Sequence, residues 1–370
     1  MKFERVVWPL VVGLATIAFA AGATAAEWDA GGGAKWDALL AAAKKESGLV
    51  GAICPALAQP LVQAFKADTG LDISLIPGGS PDISIVYRTQ MLSGHVTIDV
   101  RTGGNNDVEF SKANELVDLS QNLFLPDVTN LDHWANHQLS WVDNARKYLA
   151  LPAAYVSTRP MINKDIIDPS TLKNWTDLMR PEFKGKIAAF DPTVPGPGES
   201  FGAYLAKTHG MDFVKKLFAD QQIVVSRDSH QLGEWAARGL YPIVLGMDPQ
   251  YFDSFLKEGI TSLSWVTPDD GAGSIVGGCS VVSIPKNAPH PNAALVFVNW
   301  YLSSRGQAVV QKAGHFASLR VDIPRDGVAD YLTPDPTKTY INQYTEDWSV
   351  NELAQLFAQL KDGLRPIIGN

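Results

Sequence analysis

Between residues 49 and 107 the sequence alternates short apolar runs with helical stripes, and this alternation restricts the fold more than any other feature. Residues 49–53 read as a strand, ended by Cys54-Pro55. Leu57, Leu61, Ala64 and Phe65 then recur at helical spacing up to Gly70. Residues 71–76 read as a second strand, and Pro77-Gly78-Gly79-Ser80 as a loop. Pro81 suits a first helical turn, and Ile83, Val86, Tyr87 and Met91 carry that helix to Gly94. Val96, Ile98 and Val100 read as a third strand, opening into Thr102-Gly103-Gly104-Asn105-Asn106. Such short β-α-β-α-β connections imply a parallel sheet with right-handed crossovers. The loops at 54–57, 77–81 and 102–107 must then share one edge, where helix N-termini present free backbone N–H groups.

The middle of the chain repeats the pattern. Residues 149–152 and 161–163 read as strands starting another sheet, followed by strands at 186–190, 223–225 and 242–245. Their loops fall at 195–200, 226–229 and 246–249. A strand at 280–284 and an apolar helix at 293–302 follow. The tail from Leu332 is polar and turn-rich until a last amphipathic helix near Leu353, Leu356, Phe357 and Leu360. The expected class is α/β, with two lobes, each a mostly parallel sheet flanked by helices, joined by crossovers. The expected division places 27–100 and 246–324 in the first lobe, and 101–245 and 325–370 in the second.

Lys2 and Arg5 precede an apolar run that ends in Ala23-Thr24-Ala25-Ala26, the layout of a secretory signal peptide over 1–26. The expected location is therefore the periplasm. The formal net charge of −8 and the lack of any Lys/Arg run argue against a nucleic-acid partner. Cys54 and Cys279 are the only cysteines. An oxidising compartment permits a bridge, but their distance in sequence favours two separate buried thiols. Two cysteines so spaced are not a metal framework, and no cofactor is expected.

A strand ending in a loop of glycines and amides is where open α/β sheets place their binding crevices. Glycine admits a close backbone approach, and Asn and Thr supply donors and acceptors without fixed charge. The candidate contacts are Gly79, Ser80, Thr102, Gly103, Asn105 and Asn106, with Tyr155 and Ser157 where the chain is expected to enter the second lobe. Arg227, directly after a strand, is favoured over Arg159 as the cation that grips an anion; its alternative is a pair with Asp228 or a surface carboxylate. Asp248 and Tyr251 complete the set. Gly198-Glu199-Ser200-Phe201-Gly202 fits G-x-S-x-G, but a Pro-rich loop separates Ser200 from the strand, so a helix N-cap is the better reading than a nucleophile elbow. His133 and His137 are four apart without the glutamate of H-E-x-x-H, and carry no metal expectation.

Three pieces carry a family resemblance: Phe65-Lys66-Ala67-Asp68-Thr69-Gly70; Trp175 through Glu182-Phe183-Lys184-Gly185-Lys186-Ile187; and Phe297-Val298-Asn299-Trp300-Tyr301-Leu302-Ser303-Ser304-Arg305-Gly306-Gln307, ending in Ala313-Gly314. In this order, behind a leader, the chain resembles the periplasmic solute-binding proteins of ABC importers, type II topology, in the group that includes ferric-ion and organic-anion binders. The resemblance implies two hinged lobes that close on a solute, delivery to a membrane permease, a monomer, and no catalysis. Ferric binders carry adjacent tyrosines where this chain has Gly246-Met247-Asp248-Pro249-Gln250-Tyr251-Phe252. With one tyrosine there, a small anionic solute is the expectation. A ferric or metal-complex binder is the first alternative, and a secreted hydrolase using Ser200 the second.

Overall fold

The computed structural model describes residues 28–369, apart from Ser47, Gly79 and Pro336; the expected leader over 1–26 lies outside the described residues. The strands of the first part of the chain are β1 (Leu49–Ala52), β2 (Ile73–Leu75), β3 (Val100–Gly103), β4 (Ser140–Trp141) and β5 (Ala150–Leu151). Next come β6 (Tyr155–Ser157), β7 (Met161–Asn163), β8 (Ile187–Phe190), β9 (Val224–Ser226), β10 (Ile243–Leu245) and β11 (Leu263–Trp265). The chain closes with β12 (Ser274–Val276), β13 (Val281–Ser283) and β14 (Ile341–Asn342). They form three sheets, ordered β2-β1-β3-β13-β5-β4, β11-β7-β10-β8-β9 and β14-β12-β6.

The first sheet begins as the alternation requires, with β1 parallel to β2 and β3. The helix Pro55–Thr69 has proline in its first turn and Gly70 in the left-handed region at its end (φ 75°), and buries Leu57, Leu61 and Phe65. Phe65 packs edge-on against Phe297 and Trp300 of the helix Pro291–Leu302, whose run of buried residues fills the core on this side of the sheet. The second sheet has its own cores, around Trp175, Phe201 and Leu217 on one face and Leu232, Phe252 and Phe255 on the other.

The lobe boundaries differ from the expected ones. The chain passes from the first sheet to the second along β6, not at residues 100–101, and returns along β12, not at 245–246. These two strands pair antiparallel, with Ser157 opposite Ser274 and Tyr155 opposite Val276, and β14 lies parallel to β12. The run at 96–98 is not a strand; the ladder starts at Val100, because residues 101–103 pair antiparallel with residues 281–283. Ala150 pairs with Val282, so β5 joins the first sheet instead of starting another. The final helix, Leu353–Ile368, packs on the helices Pro197–His209 and Met211–Asp220 and buries Leu360 and Leu364 fully. No described helix is long and apolar enough to cross a membrane.

Candidate functional site

β3, β9 and β10 carry candidate residues at or just past their C-terminal ends. Thr102 is fully buried and accepts the Cys54 backbone N–H through Oγ1 (3.3 Å), a structural role. Cys54 and Cys279 are bridged, with Cα atoms 5.9 Å apart. The expectation of separate thiols is thus overturned: β13 lies beside β3, so the segment entering β13 passes the loop that follows β1. Gly103 backs onto the buried Arg101 guanidinium, where a Cβ would meet Cζ at 2.8 Å. Arg101 faces Asp107 at 3.5 Å and donates to Ser84 (2.8 Å). Burial raises the Asp107 carboxyl against the opposing pull of Arg101.

Asn105 is buried, and its Nδ2 donates to the Gln343 carbonyl and to Ser349 Oγ, both at 2.7 Å. Asn106 is exposed. Gly79 lies outside the described residues; Ser80 begins the helix Ser80–Ser93, and its side chain is likewise outside them. Ser157 is half-buried within the crossover strand β6.

Asp248 faces three phenols. Burial raises Tyr155, with Asp248 and then Tyr344 adding to the shift. Burial and then Asp248 raise Tyr344, whose Oη donates to the Gly278 carbonyl (3.0 Å). The half-exposed Tyr251 is raised by burial, Asp248 and Asp228 in that order. Gly104 lies against Tyr344, since a Cβ there would sit 3.4 Å from its Oη. Tyr155, Tyr251 and Tyr344 thus lie within electrostatic reach of Asp248, Tyr251 also within reach of Asp228, and the loop carrying Asn105 meets the Tyr344 segment through Gln343.

Arg227 does not pair with Asp228. Its Nε donates to Asp191 Oδ2 at 2.9 Å and its Nη2 lies 2.9 Å from the same oxygen, while Asp228 caps the helix Ser229–Ala237 by accepting from the backbone N–H of His230 (2.8 Å) and Gln231 (3.3 Å). Burial pushes the Asp191 carboxyl up, but two hydrogen bonds from Thr193 and those from Arg227 outweigh it and hold the group ionised below the usual range. The Arg227 side chain stays 66% exposed, so a fixed guanidinium edge remains accessible. Arg159, by contrast, is buried and spent on the Tyr331 carbonyl and Thr267 Oγ1.

Ser200 is neither an elbow nor an N-cap. Gly196 caps the helix Pro197–His209, and Ser200 lies inside it, bonded to the Gln343 side chain. Burial pushes the neighbouring Glu199 carboxyl up to about 7, against the Gly196 amide and Lys361. Its folded pKa exceeds the unfolded one, so its protonated form favours folding at acid pH, and that contribution fades as pH rises from about 4.5 to about 7. Glu199→Gln is expected to flatten the stability–pH profile across that window, measured by urea midpoints at successive pH; an unchanged slope contradicts the assignment.

His133 and His137 lie in separate 3-10 turns, with Asn136 between them in the left-handed region. Asp127, His133 and Asp322 cluster as metal ligands can, but Arg320 Nη2 occupies their midst, at 3.1 Å from Asp127, 3.2 Å from His133 and 2.6 Å from Asp322. This is an ion network, not a metal site. A cavity of about 450 Å³ beside Trp141, Arg146, Ile275 and Asn342 shares none of the candidate residues.

Residues 60–242 match the family of bacterial extracellular solute-binding proteins. By fold the chain groups with the type II periplasmic binding proteins, and the matched family model points the same way. Among solved structures the chain is similar to iron-bound HitA from Pseudomonas aeruginosa (TM-score 0.64, 15% identity, covering 86% of this chain and 98% of that one). It is also similar to AfuA from Actinobacillus pleuropneumoniae with fructose-6-phosphate bound (TM-score 0.62, 19% identity, 87% and 98%). A third similar structure is PotD, a spermidine/putrescine transporter substrate-binding protein from Streptococcus pneumoniae (TM-score 0.63, 16% identity, 85% and 98%). In sequence, an uncharacterised protein of Haemophilus influenzae is 32% identical over 190 residues, 49% of this chain; the match spans about half of that relative, 51%.

Proposed function

We propose that this protein is the periplasmic capture component of an ABC importer, taking a small anionic solute between its two lobes and passing it to a membrane permease as a monomer. Arg227 carries the proposal. A guanidinium locked on Asp191 loses little freedom on binding, and its open edge suits a carboxylate or phosphate. The likeness to a sugar-phosphate-bound structure agrees with this chemistry. Solute binding better to the closed arrangement shifts the lobe equilibrium by that difference in affinity.

Asp248 among Tyr155, Tyr251 and Tyr344 favours a second reading, a ferric or other metal complex. Ferric iron wants anionic oxygens, and it would have to displace the protons of phenols that burial and Asp248 raise above their ordinary value. Thermal-shift titration with fructose 6-phosphate and with ferric citrate separates the two. The anion is expected to raise Tm, with apparent affinity falling about tenfold or more in Arg227→Ala. Equal stabilisation of Arg227→Ala, or a coloured ferric complex without any anion response, overturns the first reading.

A further inference from the structure

The segment running from β14 into the last helix touches both lobes, and its two sets of contacts differ in kind. On the second-lobe side it is anchored in the core. Leu360 and Leu364 are fully buried against the helices Pro197–His209 and Met211–Asp220, Gln343 Nε2 donates to the Ser200 carbonyl (3.0 Å), and Lys207 pairs with Glu352 (2.7 Å). On the first-lobe side the bonds are polar, and the apolar contacts come from Tyr344 and Val350, which are only partly buried. Gln343 and Ser349 take both donors of the Asn105 amide. The Glu346 backbone N–H donates to the Val142 carbonyl (2.8 Å), and the Glu346 carboxylate accepts from the Asn144 backbone N–H (2.8 Å). Asn144 Nδ2 reaches Asp347 (3.2 Å), and Tyr344 Oη reaches the Gly278 carbonyl (3.0 Å).

We infer that residues 341–352 form a strap that travels with the second lobe and latches onto the first through Asn105, Val142 and Asn144, so that the lobes separate only when this polar seam parts. An apolar anchor resists sliding, because separating it exposes core side chains to water. Hydrogen bonds exchange for bonds to water at about 1 kcal/mol each, and a seam held mainly by them parts before an apolar anchor does. The strap also consumes the amide at the tip of the β3 loop, so release frees Asn105. The inference does not depend on which solute the site takes.

The test is Glu346→Ala/Ser349→Ala, which removes seam contacts and leaves Leu360, Leu364 and Gln343 in place. Amide hydrogen exchange over 341–349 is expected to quicken about tenfold, and small-angle scattering of the solute-free protein to show a larger radius of gyration. Lys207→Ala, on the anchored side, is expected to change neither. The inference is overturned if exchange quickens with no change in scattering, since the strap then restrains nothing. It is equally overturned if exchange is unchanged, since the seam is then not what holds the strap. Glu346→Ala alone, expected to move both readouts in the same direction, decides the matter if the double variant misfolds.

Discussion

Opening the Cys54–Cys279 bridge is expected to destabilise the folded protein by about 4 kcal/mol. The bridge joins residues 225 apart, so reduction restores a very large loop to the unfolded chain. Chain-entropy arguments give about 5 kcal/mol for a loop of that size, and measured bridges commonly deliver about 2–4. The folded state changes less, because the Cys54 N–H remains bonded to Thr102 and both segments remain part of the first sheet. Denaturant midpoints of the wild type and of Cys54→Ala/Cys279→Ala, with thiol titration of the denatured wild type, measure this. Two titratable thiols in oxidised protein, or coincident midpoints, refute it.

Arg320→Leu is expected to cost about 3 kcal/mol. The guanidinium is fully buried over the Trp134 ring and donates to the carbonyls of Asp127 and Leu302 as well as to the carboxylates of Asp127 and Asp322. Leucine leaves two carboxylates facing each other without the guanidinium and removes a donor from the carbonyls of Asp127 and Leu302. Both carboxylates are partly exposed, so water limits the penalty. Arg320→Lys keeps the charge but loses the fork, and belongs between wild type and leucine. Urea unfolding at neutral pH measures the series; a leucine variant as stable as wild type refutes the account.

What the sequence reveals follows the range of each signal. Helix stripes and strand runs are local, so the opening β-α-β-α-β was readable down to Gly70 as a helix stop. The lobe crossing was not. Residues 155–157 and 274–276 are strands only because each finds the other across more than a hundred residues, and nothing in Tyr-Val-Ser or Ser-Ile-Val announces it. The glycine-rich stretch at 271–278 even hides one of them.

The candidate site was read by the same local signals. Strand ends pointed to Asn105, Arg227 and Asp248. The same rule, applied to residue 190, points to Asp191, which was missed although it holds Arg227 in place. Gln343 and Tyr344 were beyond reach, because a polar tail gives no sign of lying against the β3 loop. Asn105 was chosen as a solute contact for its amide, and the tail uses that same amide.

Three chain passages link the lobes, aligned side by side as β14, β12 and β6. A single tether leaves a body free to twist as well as bend. Three hydrogen-bonded ribbons in a row suppress the twist and leave one soft degree of freedom, flexure perpendicular to their common plane. Any opening of the gap between the lobes is therefore expected to follow that one flexure, like a book on its spine.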